Sequence, residues 1–235
     1  MNGCYAKQIG WLAVWVMTTL SIVAADEPEW KPLFDGKFPI HWRGVRMPHF
    51  PAQKWTIQAG MIKTVPGVEP VDLVSRERFT NFEFAVEWRL APGASSGILY
   101  LLPEPAKHRP EGLEYVIQDA NRPKGEAVPP EKQTAALRGW LAPTNVPAKP
   151  VGEWNETRIL VLTNHVEHWL NNQKVLEFEL NDPKVKEPLE KLGNSLNVEK
   201  MILRGGYLVL RHTGTEVCFR NLQARHLPIP ESAKP

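Results

Sequence analysis

The chain has 235 residues, and its 28 Lys and Arg against 26 Asp and Glu give a formal charge of +2 with no long basic run, so there is no electrostatic case for a nucleic-acid partner. Its 22 prolines and 16 glycines are spread along the whole length, which disfavours long helices and predicts short strands between turns. No serine elbow, phosphate-binding glycine loop or HExxH helix is present, so serine-hydrolase, nucleotide and zinc-protease chemistry are disfavoured.

At the N-terminus, Lys7 precedes the apolar run IGWLAVWVMTTLSIVA and then Ala24-Ala25-Asp26, the pattern of a secretory signal peptide over residues 1–25. The run is shorter than the roughly 20 residues a spanning helix requires, which favours cleavage over a permanent anchor. Cys4 lies before the run, so the usual bacterial lipoprotein arrangement is absent. Cleavage leaves 26–235, read as one domain, periplasmic or secreted and with no membrane attachment. It keeps only Cys218, so no intramolecular disulfide can form and core burial must hold the domain together.

The strands follow in chain order. In NFEFAVEWRL, Phe82, Phe84, Val86, Trp88 and Leu90 alternate with Asn81, Glu83, Ala85, Glu87 and Arg89, which predicts one buried and one solvated face. The same period continues in GILYLL from Gly97, GLEYVIQD from Gly112, TRILVLTN from Thr157, VEHWLN from Val166, YLVLRH from Tyr207 and EVCFRNLQAR from Glu216. Thr163-Asn164 and Asn171-Asn172 stand where hairpin turns are required. The proline-rich segment from Arg122 to Pro150 is long enough that function or disorder is expected of it. NDPKVKEPLEKLG from Asn181 predicts at most a short helix. Many strands and little helix define an all-β chain, an antiparallel two-sheet jelly-roll sandwich with a closed barrel as the competing arrangement.

Polar residues inside strands are the candidates for chemistry. Glu114 and Gln118 share a strand face, where a carboxylate and an amide suit sugar hydroxyls, although an outer face in water is the commoner meaning of such a pattern. Asp119 ends that strand, where turn chemistry explains it as well. Glu153, Trp154 and Asn155 precede an apolar strand and read either as ligand contacts or as a turn with a core cap. His168 lies on the face of Val166 and Leu170, the pattern of a satisfied core histidine. Arg211 and His212 point to opposite faces if their strand runs through them. No His spacing supports a metal site and no cofactor is indicated; Cys218, between Val217 and Phe219, reads as an inert buried thiol.

Taken together, WKPLFDGK, FTNFEFAVEWRL with ASSGILYLL, GLEYVIQD, VGEWNETRI, HWLNN and GYLVLRHTGTEVCFRNLQ occur in the order that resembles the 3-keto-disaccharide hydrolase domain family, from Trp30 to about Leu227. The resemblance implies a concanavalin A-like jelly roll, exported, acting on glycosides oxidised to a ketone at sugar carbon 3. It also implies roles: Glu114 as the base and Gln118, Asp119, Glu153, Trp154, Asn155 and His168 as substrate contacts, to which Arg211 is added as a further candidate contact and His212 as a second catalytic candidate. Two departures from the family pattern stand out. Ser95-Ser96-Gly97 leads to Leu101 where the family often has an arginine, and Leu210-Arg211-His212-Thr213-Gly214 replaces Leu-Gln-Asp-His-Gly.

Overall fold

The computed structural model describes residues 28–105, 108–120, 127–193 and 196–229; the expected signal peptide lies outside them. Among the described residues thirteen strands and two short α-helices follow one another. The strands are β1 (Lys31–Pro32), β2 (Trp42–Gly44), β3 (Trp55–Gln58), β4 (Met61–Thr64), β5 (Leu73–Phe79), β6 (Phe82–Leu90), β7 (Ser95–Leu102), β8 (Glu114–Gln118), β9 (Asn155–Leu162), β10 (His165–Leu170), β11 (Gln173–Glu179), β12 (Gly206–Leu210) and β13 (Val217–His226). The helices α1 (Pro183–Lys191) and α2 (Val198–Arg204) both lie between β11 and β12. An eight-stranded sheet has the order β11-β10-β9-β6-β13-β4-β3, with β1 also on β13, and a five-stranded sheet has the order β2-β5-β12-β7-β8. Every strand pair is antiparallel, which makes the jelly-roll sandwich the observed architecture. Among the described residues no helix is long and apolar enough to cross a membrane.

The predicted apolar face of β6 is the inner one, and Phe82, Phe84, Val86, Trp88 and Leu90 are all buried. A polar link crosses the core, where Tyr100 on β7 meets His168 on β10 at 2.9 Å. The opposite face of β6 differs from expectation. Glu83 is 1% exposed because Arg158 and Arg225 clasp its carboxylate. Arg158 in turn stacks on Trp169 at 3.9 Å and Arg225 on Trp30 at 4.8 Å, so ion pairs and aromatic rings close a face that alternation alone assigns to water.

Both expected hairpins form. Asn171 and Asn172 each take a positive φ, 48° and 64°, which asparagine tolerates, and Thr163 turns the preceding hairpin at 55°. Asp182 caps α1 by accepting from the Lys184 N–H, as the short-helix expectation allows. Helix α2 was not anticipated; Asn197 caps it by accepting from the Lys200 N–H. The described part of the proline-rich segment, from residue 127 on, packs along the outer edge of β8, with Ala135 N donating to Val116 O, Val116 N to Ala136 O and Arg138 N to Glu114 O. It thereby covers an edge that would otherwise present unpaired backbone groups.

Where β12 enters the five-stranded sheet, Tyr207 pairs with Leu102 but Val209 pairs with Leu99, so β7 bulges by one residue and Leu101 takes φ 51°. Gly206 lies against that bulge, and a Cβ there would sit 2.1 Å from the Leu101 carbonyl carbon. Backbone cannot swing aside as a side chain can. Gly206→Ala is therefore expected to cost about 3 kcal/mol, the upper part of the overpacking range, read as a lower midpoint in denaturant unfolding.

Candidate active site

Glu114 opens β8 beside Gly97 of β7, and the two strands pair Gly97 with Val116 and Leu99 with Glu114. The Glu114 side chain lies back over Gly97: a Cβ on that glycine would sit 2.2 Å from Oε1 and 2.9 Å from Cδ. Only glycine leaves room for the carboxylate there. Glu114 is 3% exposed, and two guanidiniums hold it. Its Oε2 is 3.0 Å from Arg211 Nη2, and its Oε1 is 2.7 Å from Arg138 Nε. The second contact is short but poorly aligned, so neither Oε1 nor that Nε makes a hydrogen bond.

Arg211 is positioned from three sides. Its N–H donates to Gly97 O, its Nη2 donates to Pro110 O at 2.8 Å, and its Nη1 lies 3.6 Å from Asp72 Oδ2. Asp72, just before β5, is 2% exposed and accepts the His212 N–H on Oδ1. Burial pushes the Asp72 carboxyl above its ordinary value, against the pull of Arg211, the His212 N–H and Arg109. Above this cluster opens a cavity of about 520 Å³ walled by Arg109, Arg138, Trp140 and Thr213 as well as Glu114 and Arg211. That volume suits a sugar, and the charged groups converge on its floor.

Of the residues expected to form a site, Glu114 and Arg211 therefore come together. Gln118, Asp119, Glu153 and Asn155 line a different cavity, of about 460 Å³, together with Trp88 and Thr134. The reason is metric: four residues of strand span about 13 Å, so two side chains on one face need not share a pocket. Asn155 is 2% exposed and pins the preceding loop, accepting from Lys149 N and from Asn171 Nδ2.

Trp154 is held between the guanidiniums of Arg89, at 4.9 Å, and Arg220, at 4.0 Å, on the outer face of the other sheet, where it cannot stack on a sugar seated over Glu114. His212 does not line the Glu114 cavity; its Nε2 donates to Lys54 O, its Nδ1 accepts from Gly214 N, and its ring meets Trp55 edge-on. Both ring nitrogens serve the backbone. The sequence reading missed Asp72, Arg109, Arg138 and Trp140, and the length of the proline-rich segment was the one signal toward Arg138 and Trp140.

His168 is fully buried between the sheets, its Nδ1 donating to Ala135 O and its Nε2 accepting from Tyr100. Burial lowers its pKa to about 4 from an ordinary 6.5. The unfolded chain then binds this proton more readily than the folded one. Stability is retained in full above pH 6.5 and is lost as pH falls toward 4, by about 3 kcal/mol from this residue. Melting temperatures measured from pH 7 to pH 4 should show the drop, and His168→Gln should flatten it.

His165, Glu167 and Glu177 on β10 and β11 approach one another, but Lys174 already pairs with both acids, so a positive charge is in place without a metal. Cys218 is buried as a free thiol on β13.

Two antiparallel sheets form a jelly-roll sandwich that carries a buried acid and its arginines beneath a sugar-sized cavity. The chain belongs to the 3-keto-alpha-glucoside-1,2-lyase-like domain family, whose model matches residues 29–225. A 3-keto-disaccharide hydrolase of Bacteroides thetaiotaomicron is 29% identical over 227 residues, covering 83% of this chain and 77% of that protein. Two crystal structures of candidate glycosyl hydrolases from Parabacteroides distasonis share the fold. One superposes with a TM-score of 0.73 at 23% identity, covering 85% of this chain and 94% of the other. The second gives 0.65 at 22%, covering 85% and 100%.

Proposed function

We propose that this chain is an exported, periplasmic or secreted enzyme that cleaves 3-keto glycosides by elimination followed by hydration. The observation that carries the reading is Glu114: a buried carboxylate over Gly97 with one oxygen lacking an aligned donor, on the floor of a sugar-sized cavity. Membership of the family and the name of the Bacteroides relative support the substrate class.

A ketone at carbon 3 acidifies the hydrogen on carbon 2. Glu114 takes that proton, and the electron pair of the C2–H bond forms the C1–C2 double bond as the C1–O bond breaks. The departing oxygen receives the proton from Glu114, and water then adds across C1–C2 to give the free 3-keto sugar. Charge developing on the ketone oxygen is met by the guanidinium of Arg211, which the fold fixes in advance. Opposed carboxylates astride the anomeric carbon are not needed.

A second reading, a carbohydrate-binding module without turnover, is favoured by the same ion pairs, since both oxygens of Glu114 stand against a guanidinium. The two separate on one assay. The purified chain is expected to release the aglycone from 3-keto glycosides and to leave the unoxidised glycosides intact. Sugar binding without release would establish the module instead, and release from both substrates would remove the role of the ketone.

A further inference from the structure

Three guanidiniums, those of Arg109, Arg138 and Arg211, line the cavity over Glu114, and Glu111 lines it beside Glu114. Glu114 occupies Arg211 Nη2 and lies against Arg138 Nε, while Asp72 faces Arg211 Nη1. That leaves Arg211 Nε, buried and without an acceptor, and the two Nη atoms of Arg138, whose side chain is 39% exposed. Arg109 lines the same wall from an exposed loop, and among the described residues no ion pair holds it. Arg109 and Arg138, each able to donate paired parallel hydrogen bonds, thus border the cavity above a floor where Glu114 and Asp72 already engage Arg211. A neutral sugar's hydroxyls are served as well by amides and hydroxyls, whereas an oxyanion matches a guanidinium fork in both charge and geometry. Trp140 on the same wall offers a flat ring for the ring CH groups.

We propose that the cavity selects an acidic sugar, with Arg109 and Arg138 gripping an oxyanion on the ring, a carboxylate or a sulfate, while Glu114 faces the reacting carbons. The proposal rests on the reading of this cavity as a sugar site. It also gives a use to the departure at Arg211, since a guanidinium in place of an amide raises the positive potential of the floor.

Titration calorimetry of the full exported chain with methyl glucuronide, methyl glucoside 6-sulfate and methyl glucoside tests it. One or both acidic glycosides are expected to bind about tenfold or more tightly than the neutral one, and the preference should shrink between 20 and 200 mM salt. Preference for the glucuronide alone identifies a carboxylate, and preference for the sulfated sugar alone identifies a sulfate. Arg109→Gln, on an exposed loop where folding is not at stake, and Arg138→Gln should each move the acidic-to-neutral ratio toward one. Equal affinity for all three overturns the acidic selectivity and leaves a sugar site standing. A preference that survives both substitutions removes Arg109 and Arg138 from it, and binding of none of the three overturns the selectivity, while release from 3-keto glycosides decides the sugar reading separately.

Discussion

Glu114→Gln is expected to reduce turnover of a 3-keto glycoside by about 10²- to 10⁴-fold, the range a positioned general base contributes. Glutamine keeps the shape that fits over Gly97 and still reaches Arg211, so the cavity keeps its form while the proton acceptor is lost. The substitution also removes a charge that two guanidiniums face, and Arg211 is then left with Asp72 alone among the acids around it. A lower melting temperature should accompany the slower rate, so the rate has to be measured well below the transition of the variant. The split between the kinetic parameters decides the role. A fall in kcat with substrate affinity largely kept fits a base, whereas a loss confined to KM assigns Glu114 to binding. An undiminished kcat would take Glu114 out of the chemistry.

How far the sequence led can be judged on particular residues. Strand identity was legible because alternation is a property of a single strand: the inner face of β6 was read correctly from Phe82 to Leu90. What lies against the outer face was not legible. Glu83 looks solvated by its period, yet it is sealed by Arg158 from β9 and Arg225 from β13, partners that only the sheet order brings beside it. The same limit explains Trp154, whose position before a strand says nothing about which sheet that strand joins; it joins the one remote from Glu114.

The face of Glu114 was ambiguous by spacing alone and was turned toward a ligand by the resemblance. Its partners were harder to foresee. Arg138 sits in a segment without periodicity, Arg109 in a loop, and Asp72 ahead of a strand with no motif around it, so long-range packing alone unites them. Helix α2 escaped for a related reason. Its seven residues are too few to show a convincing helical period, and the Asn197 cap is a signal shared with many turns.

Arg211 carries the largest expected effect on stability. Replacing it by methionine retains much of the apolar stem but leaves Glu114, 3% exposed, and Asp72, 2% exposed, without the cation between them. Breaking a buried ion pair from one side costs about 3–5 kcal/mol, because the stranded charge can neither pair nor reach water. Arg138 softens this for Glu114 but does not touch Asp72, so the penalty should fall mainly on Asp72.

Two measurements separate that cause from simple loss of packing. In denaturant unfolding, Arg211→Met should be most destabilising near pH 7 and should approach the parent as pH falls, since protonation relieves an unpaired acid. Asp72, whose carboxyl is already raised by burial, should lead that relief. Adding Asp72→Asn to Arg211→Met should recover part of the loss, with a coupling of about 0.5–3 kcal/mol between the two positions. If Arg211→Met costs less than about 1 kcal/mol at neutral pH, water reaches these acids readily. The floor of the cavity would then be wet rather than built around a fixed charge, and Arg211 could not act as the preorganised partner that enolate stabilisation requires.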